Sequence, residues 1–263
     1  MNVSGANVVI TGGGNGIGAA LARRFTDEGA RGVVIGDVDE RGLDAVASET
    51  GARALRCDVT RADDLAALID TAESAFGPID LFCSNAGIVQ FHDVETSDDE
   101  WRRVVDVNLM AHVVAARMLV PRMLERGGGY LLHTASAAGL LTQIGSVTYS
   151  VTKHAVVSLA EWLAITYGDR GLKVSVLCPQ AVRTNMTAGT ESGGVAGVDG
   201  MLEPEDVAGA VVAGLATEQF LILPHPQVLE YFRRKASDYD RWIAGMRRLQ
   251  ARFGGALGSS SDE

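Results

Sequence analysis

The stretch NVVITGGGNGIGAALARRF, residues 7–25, decides the reading of this chain. It opens on an apolar run of strand-forming residues and closes on apolar positions at helical spacing, with five glycines crowded at the junction. Glycine loses more backbone freedom on folding than any other residue, so such a cluster needs a reason. On one reading the glycines merely turn the chain. On the other they leave backbone bare for a ligand: Gly12 allows the tight turn, Gly16 the close approach and Gly18 the packing of helix on strand, with Gly14, Asn15 and Ile17 completing the loop. A diphosphate there meets unpaired amides and the positive end of the helix dipole.

Asp37 tips the balance towards the ligand. It ends the next apolar run, GVVIGD, 19 residues after Gly18, close to the ~20 expected of an acid that hydrogen-bonds an adenosine ribose. Its carboxylate would repel a 2′-phosphate. Val38 follows where an arginine would accept that phosphate, and Asn15 stands in the loop where a base could, so NAD is expected over NADP.

Five further short apolar runs follow, in ARALRCD, IDLFCSNAG, GYLLHTAS, LKVSVLCP and FLILP. Between the runs lie amphipathic stretches, among them residues 98–126 and 147–170. This alternation implies an α/β fold: a doubly wound, Rossmann-like parallel sheet covered on both faces, with strand order 3-2-1-4-5-6-7. No Pro/Ser-rich linker divides the chain, so one domain over residues 1–253 is expected, followed by a disordered tail at residues 254–263.

Composition excludes some functions. The chain has 263 residues and a formal net charge of −10, which offers no broad cationic field to nucleic acid. The one dense basic run, from YFRRK to MRRLQARF, reads as a solvated helix face. A cytoplasmic protein is expected, because the N-terminal apolar run is too short for a signal sequence and no uninterrupted apolar segment would place the chain in a membrane. Cys57, Cys83 and Cys178 lie in apolar runs and read as buried free thiols. His92, His112, His133, His154 and His225 lack ligand spacing and read as surface or packing residues, with His92 close enough to the NAG segment to reach a pocket; no metal site is expected.

Motifs in a fixed order then point to a family. TGGGNGIG is followed by CDVT at residues 57–60, NAG at residues 85–87, Asn108 within VNLM, and TASAAG…YSVTK ending at Lys153. From about Val8 to Thr184 the chain resembles the short-chain dehydrogenase/reductase family. The resemblance implies that Asp58 and Val59 flank the adenine. It places Asn85, Ala86 and Gly87 beneath the riboses, and Pro179, Val182 and Thr184 at the nicotinamide. Asn108, Ser136, Tyr149 and Lys153 match the family's catalytic tetrad, with Tyr149 and Lys153 also touching the cofactor. A homotetramer or homodimer is implied as well, with the helices of residues 98–126 and 147–170 at one interface.

The residue types suit the chemistry. Tyr149 and Lys153, at i and i+4, share one helix face. A free phenol titrates near 10, and bringing it to neutrality takes roughly 4 kcal/mol, which nearby cations can supply. Tyr149 is then expected to take the hydroxyl proton, Ser136 to hold the substrate oxygen, and Asn108 to order a water linking Lys153 to solvent.

One departure stands out. Where the family has Pro-Gly after the sixth strand, this chain has Pro179-Gln180. Gln180 either contacts substrate or faces solvent, and it would be strained if the position needs positive φ. Residues 185–202, rich in Gly, Thr and Ser, match the family's substrate lid. Val89, Leu140, Leu141, Gln143 and Met186 are candidate walls, mostly apolar, so a hydrophobic secondary alcohol or ketone (steroid, aryl or alicyclic) is the expected substrate. The C-terminal helical extension, residues 226–252, either packs on its own sheet or covers a neighbouring subunit or the pocket mouth. The competing functions are a 3-oxoacyl thioester reductase, disfavoured by Asp37, and a dinucleotide-binding regulatory protein without turnover.

Overall fold

The computed structural model describes residues 1–189 and 193–253. The tail expected at residues 254–263, and Thr190, Glu191 and Ser192 of the expected lid, lie outside the described residues.

The seven apolar runs become seven parallel strands: β1 (Asn7–Thr11), β2 (Gly32–Asp37), β3 (Arg53–Arg56), β4 (Leu81–Ser84), β5 (Gly129–Thr134), β6 (Leu172–Leu177) and β7 (Leu221–Ile222). They form one sheet in the order β3-β2-β1-β4-β5-β6-β7. Strand side chains alternate between faces, so each central strand feeds two cores. Val9, Val34, Phe82 and Leu131 belong to one apolar cluster, and Val8, Ile10, Ile35, Leu81 and Leu132 to the other.

Helices cover both faces. The first cluster takes in α3 (Ala62–Phe76), α5 (Ala111–Glu125) and α7 (Val147–Tyr167) through Leu68, Leu119 and Val156. The second takes in α1 (Gly16–Asp27), α2 (Glu40–Thr50) and α8 (Pro204–Ala216) through Leu21, Val46 and Val211. Helix α8 is an element that the sequence pattern above leaves unassigned. Helix α4 (Asp98–Val105) runs through a π-turn, Asp106–Met110, into α5. By length and mean hydropathy alone this run, Asp98–Glu125, could cross a membrane; here its Ala111, Ala115, Leu119 and Met123 are packed into the core.

After β5 comes the short helix α6 (Ala138–Leu141), and the chain ends in α9 (Gln227–Ser237) and α10 (Tyr239–Phe253). Lys235 of α9 is buried, donates from Nζ to the Leu140 carbonyl at 2.7 Å, and lies 5.5 Å from the centre of the Tyr239 ring. A buried ammonium is costly unless it is hydrogen-bonded, so this bond fixes where the C-terminal helices dock: against α6, beside the C-terminal ends of the strands.

Strand order reverses between β1 and β4, and in such a sheet the crevice beyond the strand ends at that switch receives ligands. A cavity of about 1300 Å³ lies there.

Candidate active site

The glycine loop enters the cavity first. Gly12 has φ +67°, a conformation that side chains rarely adopt. A Cβ on Gly18 would sit 1.9 Å from the Gly12 carbonyl oxygen and 2.8 Å from Asn85 Nδ2, so α1 can reach β1 this closely only with glycine there. Gly12, Asn15, Gly16 and Ile17 line the cavity, whereas Gly14 and Gly18 do not. Gly14 supports it instead, its N–H donating to Asp37 Oδ2 at 2.9 Å.

The start of α1 lacks the side-chain cap that α2 and α4 carry. Asp39 caps α2 by accepting from the Gly42 N–H at 3.1 Å, and Ser97 caps α4 by accepting from the Glu100 N–H at 3.3 Å. Among the described residues no side chain caps α1, and no acid occupies its first turn. Its leading amides and positive dipole end are therefore available to an anion.

Asp37 and Asp58, expected at the adenosine, both line the cavity. Asp37 is oriented by the Gly14 and Asp39 amides, which donate to Oδ2 and Oδ1 at 2.9 and 3.0 Å. Asp58 accepts from the Thr60 hydroxyl at 2.7 Å, a bond that holds its carboxyl below the usual range. Val59, Ala86 and Gly87 complete this wall. Asn85 also reaches the cavity, but its amide serves the scaffold: Nδ2 donates to the Thr11 and Gly12 carbonyls at 3.1 and 3.3 Å, and Oδ1 accepts from Thr134 at 3.1 Å.

The structure brings Ser136, Tyr149 and Lys153 to one wall. Lys153 is buried, its Nζ 5.5 Å from the Tyr149 ring centre and donating to the Thr134 carbonyl at 2.9 Å. Burial pulls its ammonium from 10.5 down to about 8. Burial also raises the Tyr149 phenol above its ordinary value, with the Ser136 hydroxyl pulling the other way. The depressed phenol expected from the sequence therefore needs more positive charge than Lys153 supplies.

Asn108 sits behind this wall rather than on it. It is fully buried in the π-turn, a feature that recurs at functional sites. Its Oδ1 accepts from the Ile88 N–H at 2.8 Å, and its Nδ2 donates to the Ile88 carbonyl at 2.9 Å and to Thr152 Oγ1 at 3.3 Å. A Cβ added to Gly87 would lie 3.3 Å from Lys153 Nζ and 3.4 Å from Asn108 Oδ1, so both side chains border that glycine.

Pro179, Val182 and Thr184, expected at the nicotinamide, line the cavity together with Gln180. Gln180 is not strained: Thr142 and Glu218 are the non-glycine residues with positive φ among those described. Its side chain donates from Nε2 to Asp199 Oδ2 at 3.0 Å, while Tyr231 of α9 donates to Asp199 Oδ1 at 2.9 Å. The Asp199 carboxylate is thus held by the loop after β6 and by the C-terminal extension. Thr142, at φ +77°, also lines the cavity. A β-branched residue there is strained, and its N–H is bonded to the Ala138 carbonyl at 3.0 Å.

Of the expected walls, Val89, Leu141, Gln143 and Met186 line the cavity and Leu140 does not. Leu140 is core; one helical step turns it inward. His92 also lies off the lining, 3.5 Å from Glu100. The three thiols are buried and free, and burial pushes Cys57 and Cys178 up to about 12. Sequence reasoning did not place Phe91 or Arg103, which line the cavity; the C-terminal extension, for which cover of the pocket mouth is one of the expected readings, brings Arg234, Arg241, Trp242, Met246, Arg248, Leu249 and Arg252 to the lining, and Val195 of residues 185–202 joins them. The arginines read as a solvated face are exposed, yet four of them border its mouth.

The short chain dehydrogenase pattern matches residues 6–193. The chain is 37% identical over 253 residues to the 1-deoxy-11-beta-hydroxypentalenate dehydrogenase of Streptomyces exfoliatus, covering 93% of this chain and 92% of that protein. It is 34% identical over 235 residues to 3beta-hydroxysteroid dehydrogenase 2 of Eggerthella lenta, covering 82% and 90%. A short chain dehydrogenase/reductase from Burkholderia phymatum, solved in complex with NAD, matches with a TM-score of 0.83 at 31% identity over 91% of this chain and 96% of that one.

Proposed function

The chain belongs to the short-chain dehydrogenase family, and from that premise we propose that it is an NAD-dependent oxidoreductase acting on the carbinol of a hydrophobic, alicyclic secondary alcohol or on the matching ketone. One observation carries this: the uncapped start of α1, Asp37, and the Ser136–Tyr149–Lys153 wall all face the same cavity.

Asp37 fits the adenosine ribose of NAD and its charge disfavours a 2′-phosphate. The α1 amides fit the diphosphate, and Val182 and Thr184 fit the nicotinamide. Held there, NAD would supply the hydride acceptor for oxidation of the carbinol carbon, and NADH the donor for the reverse. Ser136 holds the substrate oxygen, and Tyr149 takes the hydroxyl proton during oxidation or returns it during reduction. Lys153, fixed by the Thr134 carbonyl, supports the charged phenolate. Asn108 positions the Gly87-Ile88 turn over Lys153 and orders the water that carries protons onward to solvent.

The relatives above act on a hydroxypentalenate and on 3β-hydroxysteroids, both alicyclic alcohols, and the walls Val89, Leu141 and Met186 suit such a body. Residues 1–253 act as one domain in this reading. The exposed apolar residues Val151, Trp162 and Ile165 of α7, the last 83% exposed, support a homotetramer, which sedimentation velocity measures directly.

The decisive experiment is Tyr149→Phe. General acid–base groups contribute about 10²–10⁴ in rate, so turnover of secondary alcohols with NAD should fall by at least a hundredfold while NAD titration still quenches tryptophan fluorescence. Near-normal turnover in a variant that binds NAD refutes the assignment.

A further inference from the structure

The two relatives differ in one respect that the cavity mouth of this chain addresses: a pentalenate carries a carboxylate and a hydroxysteroid does not. We propose that the mouth selects an anionic substrate, an alicyclic alcohol or ketone whose carboxylate lies at the end away from the carbinol and is received by Arg241 and Arg248. The proposal rests on the dehydrogenase reading above and extends it to the substrate's charge.

The charge is local and runs against the whole. In a chain of formal net charge −10, residues 227–253 hold seven basic residues against three acidic ones. Arg241 and Arg248 are seven residues apart, about two helical turns, so they share one face of α10 some 10 Å apart, and both line the cavity. Trp242, Met246 and Leu249 form an adjoining apolar stripe that lines it too. The helix therefore presents apolar surface and cations side by side to the same space.

Four arginines of α9 and α10 line the cavity, and two of them have their guanidinium groups engaged within the chain. Arg234 is paired with Glu230 at 2.9 Å, and Arg252 lies 5.1 Å from the Phe253 ring centre. Neither Arg241 nor Arg248 has an ion-pair partner among the described residues. The nearby Asp238 carboxylate accepts from the Arg241 backbone N–H at 2.9 Å and so caps α10, while Asp199 is held by Gln180 and Tyr231. A guanidinium pair at the rim of an apolar cavity suits a carboxylate, and Lys235 anchors α9, the helix that leads directly into the one carrying the pair.

The test uses the full chain with NAD and two matched probes, 4-hydroxycyclohexanecarboxylate and its methyl ester, followed by turnover and by quenching of tryptophan fluorescence. The acid should bind about tenfold more tightly than the ester, and this preference should weaken as salt is raised. In Arg241→Gln/Arg248→Gln the acid-to-ester ratio should fall to near one, chiefly through KM. Arg247→Gln, on the same helix but off the cavity, should leave the ratio as it was. Equal binding of acid and ester to the wild-type protein overturns the proposal, as does a ratio that survives the double substitution. Preference for an acyl thioester of coenzyme A over both probes also overturns it, making the arginines a rim for a phosphate-bearing carrier. Charge-dependent binding without turnover of either probe instead counts against the dehydrogenase reading and leaves the anion site standing.

Discussion

His112 of α5 and His133 of β5 are almost wholly buried, with Nδ1 to Nδ1 at 3.0 Å and rings stacked at 5.3 Å. One Nδ1 must carry the shared hydrogen and the other must accept it, so the arrangement needs at least one neutral ring and excludes two imidazolium ions. Burial drives His133 from 6.5 down to about 4, and burial together with His133 and Lys153 holds His112 well below its ordinary value. The sign follows: between about pH 6.5 and pH 4 the unfolded chain binds protons that the folded chain refuses, so stability is complete above pH 6.5 and is lost as pH falls towards 4. At 1.36 kcal/mol per pH unit, His133 alone accounts for about 3 kcal/mol, a large part of the ~5–15 kcal/mol typical of a domain. The assay is urea unfolding at pH 7.5, 6.5, 5.5 and 4.5 for the wild-type protein and for His112→Leu/His133→Leu. Replacing both rings avoids stranding one nitrogen. Carboxylates titrate alike in both proteins, so by pH 4.5 the wild-type protein should have lost at least about 2–3 kcal/mol more than the variant, the share of His133, with His112 adding to it. Parallel stability curves would refute the reasoning.

Two further outcomes are expected. Gly18→Ala drives a methyl group to 1.9 Å from the Gly12 carbonyl oxygen, backbone against backbone, and should destabilise the fold by about 3 kcal/mol or more, read as a lower urea midpoint together with weaker NAD binding. Asp37→Ala removes a charged acceptor from the adenosine end; at about 1.5–3 kcal/mol for such hydrogen bonds, NAD affinity should drop roughly tenfold or more while NADP affinity rises, and an unchanged NAD/NADP ratio in equilibrium titrations defeats the ribose assignment.

What the sequence discloses here depends on distance along the chain. The glycine loop and Asp37 are legible because β1, α1 and β2 are consecutive, and the Tyr149–Lys153 pair because it is one turn of helix. Helix α8 carries readable start signals, Pro204 in its first turn beside Glu205 and Asp206, but its Ala, Gly and Val residues offer little contrast between faces and leave its period indistinct. Gln180 reads from the sequence as a contact of substrate or of solvent, whereas its side chain bonds Asp199, 19 residues on. The arginines of α10 have a visible period, yet their place at the cavity follows from the Lys235–Leu140 bond, which joins residues 95 apart. The two histidines show no local signal at all, since only the packing of α5 on β5 brings them together.

The outer strands of the sheet carry a consequence for behaviour at high concentration. At one edge β3 reads RALR, with Arg53 and Arg56 both exposed; at the other, β7 is two residues long. A charged rim and a strand too short to template another are the devices that discourage edge-to-edge stacking of sheets. Copies of this chain are thereby steered away from cross-β aggregation.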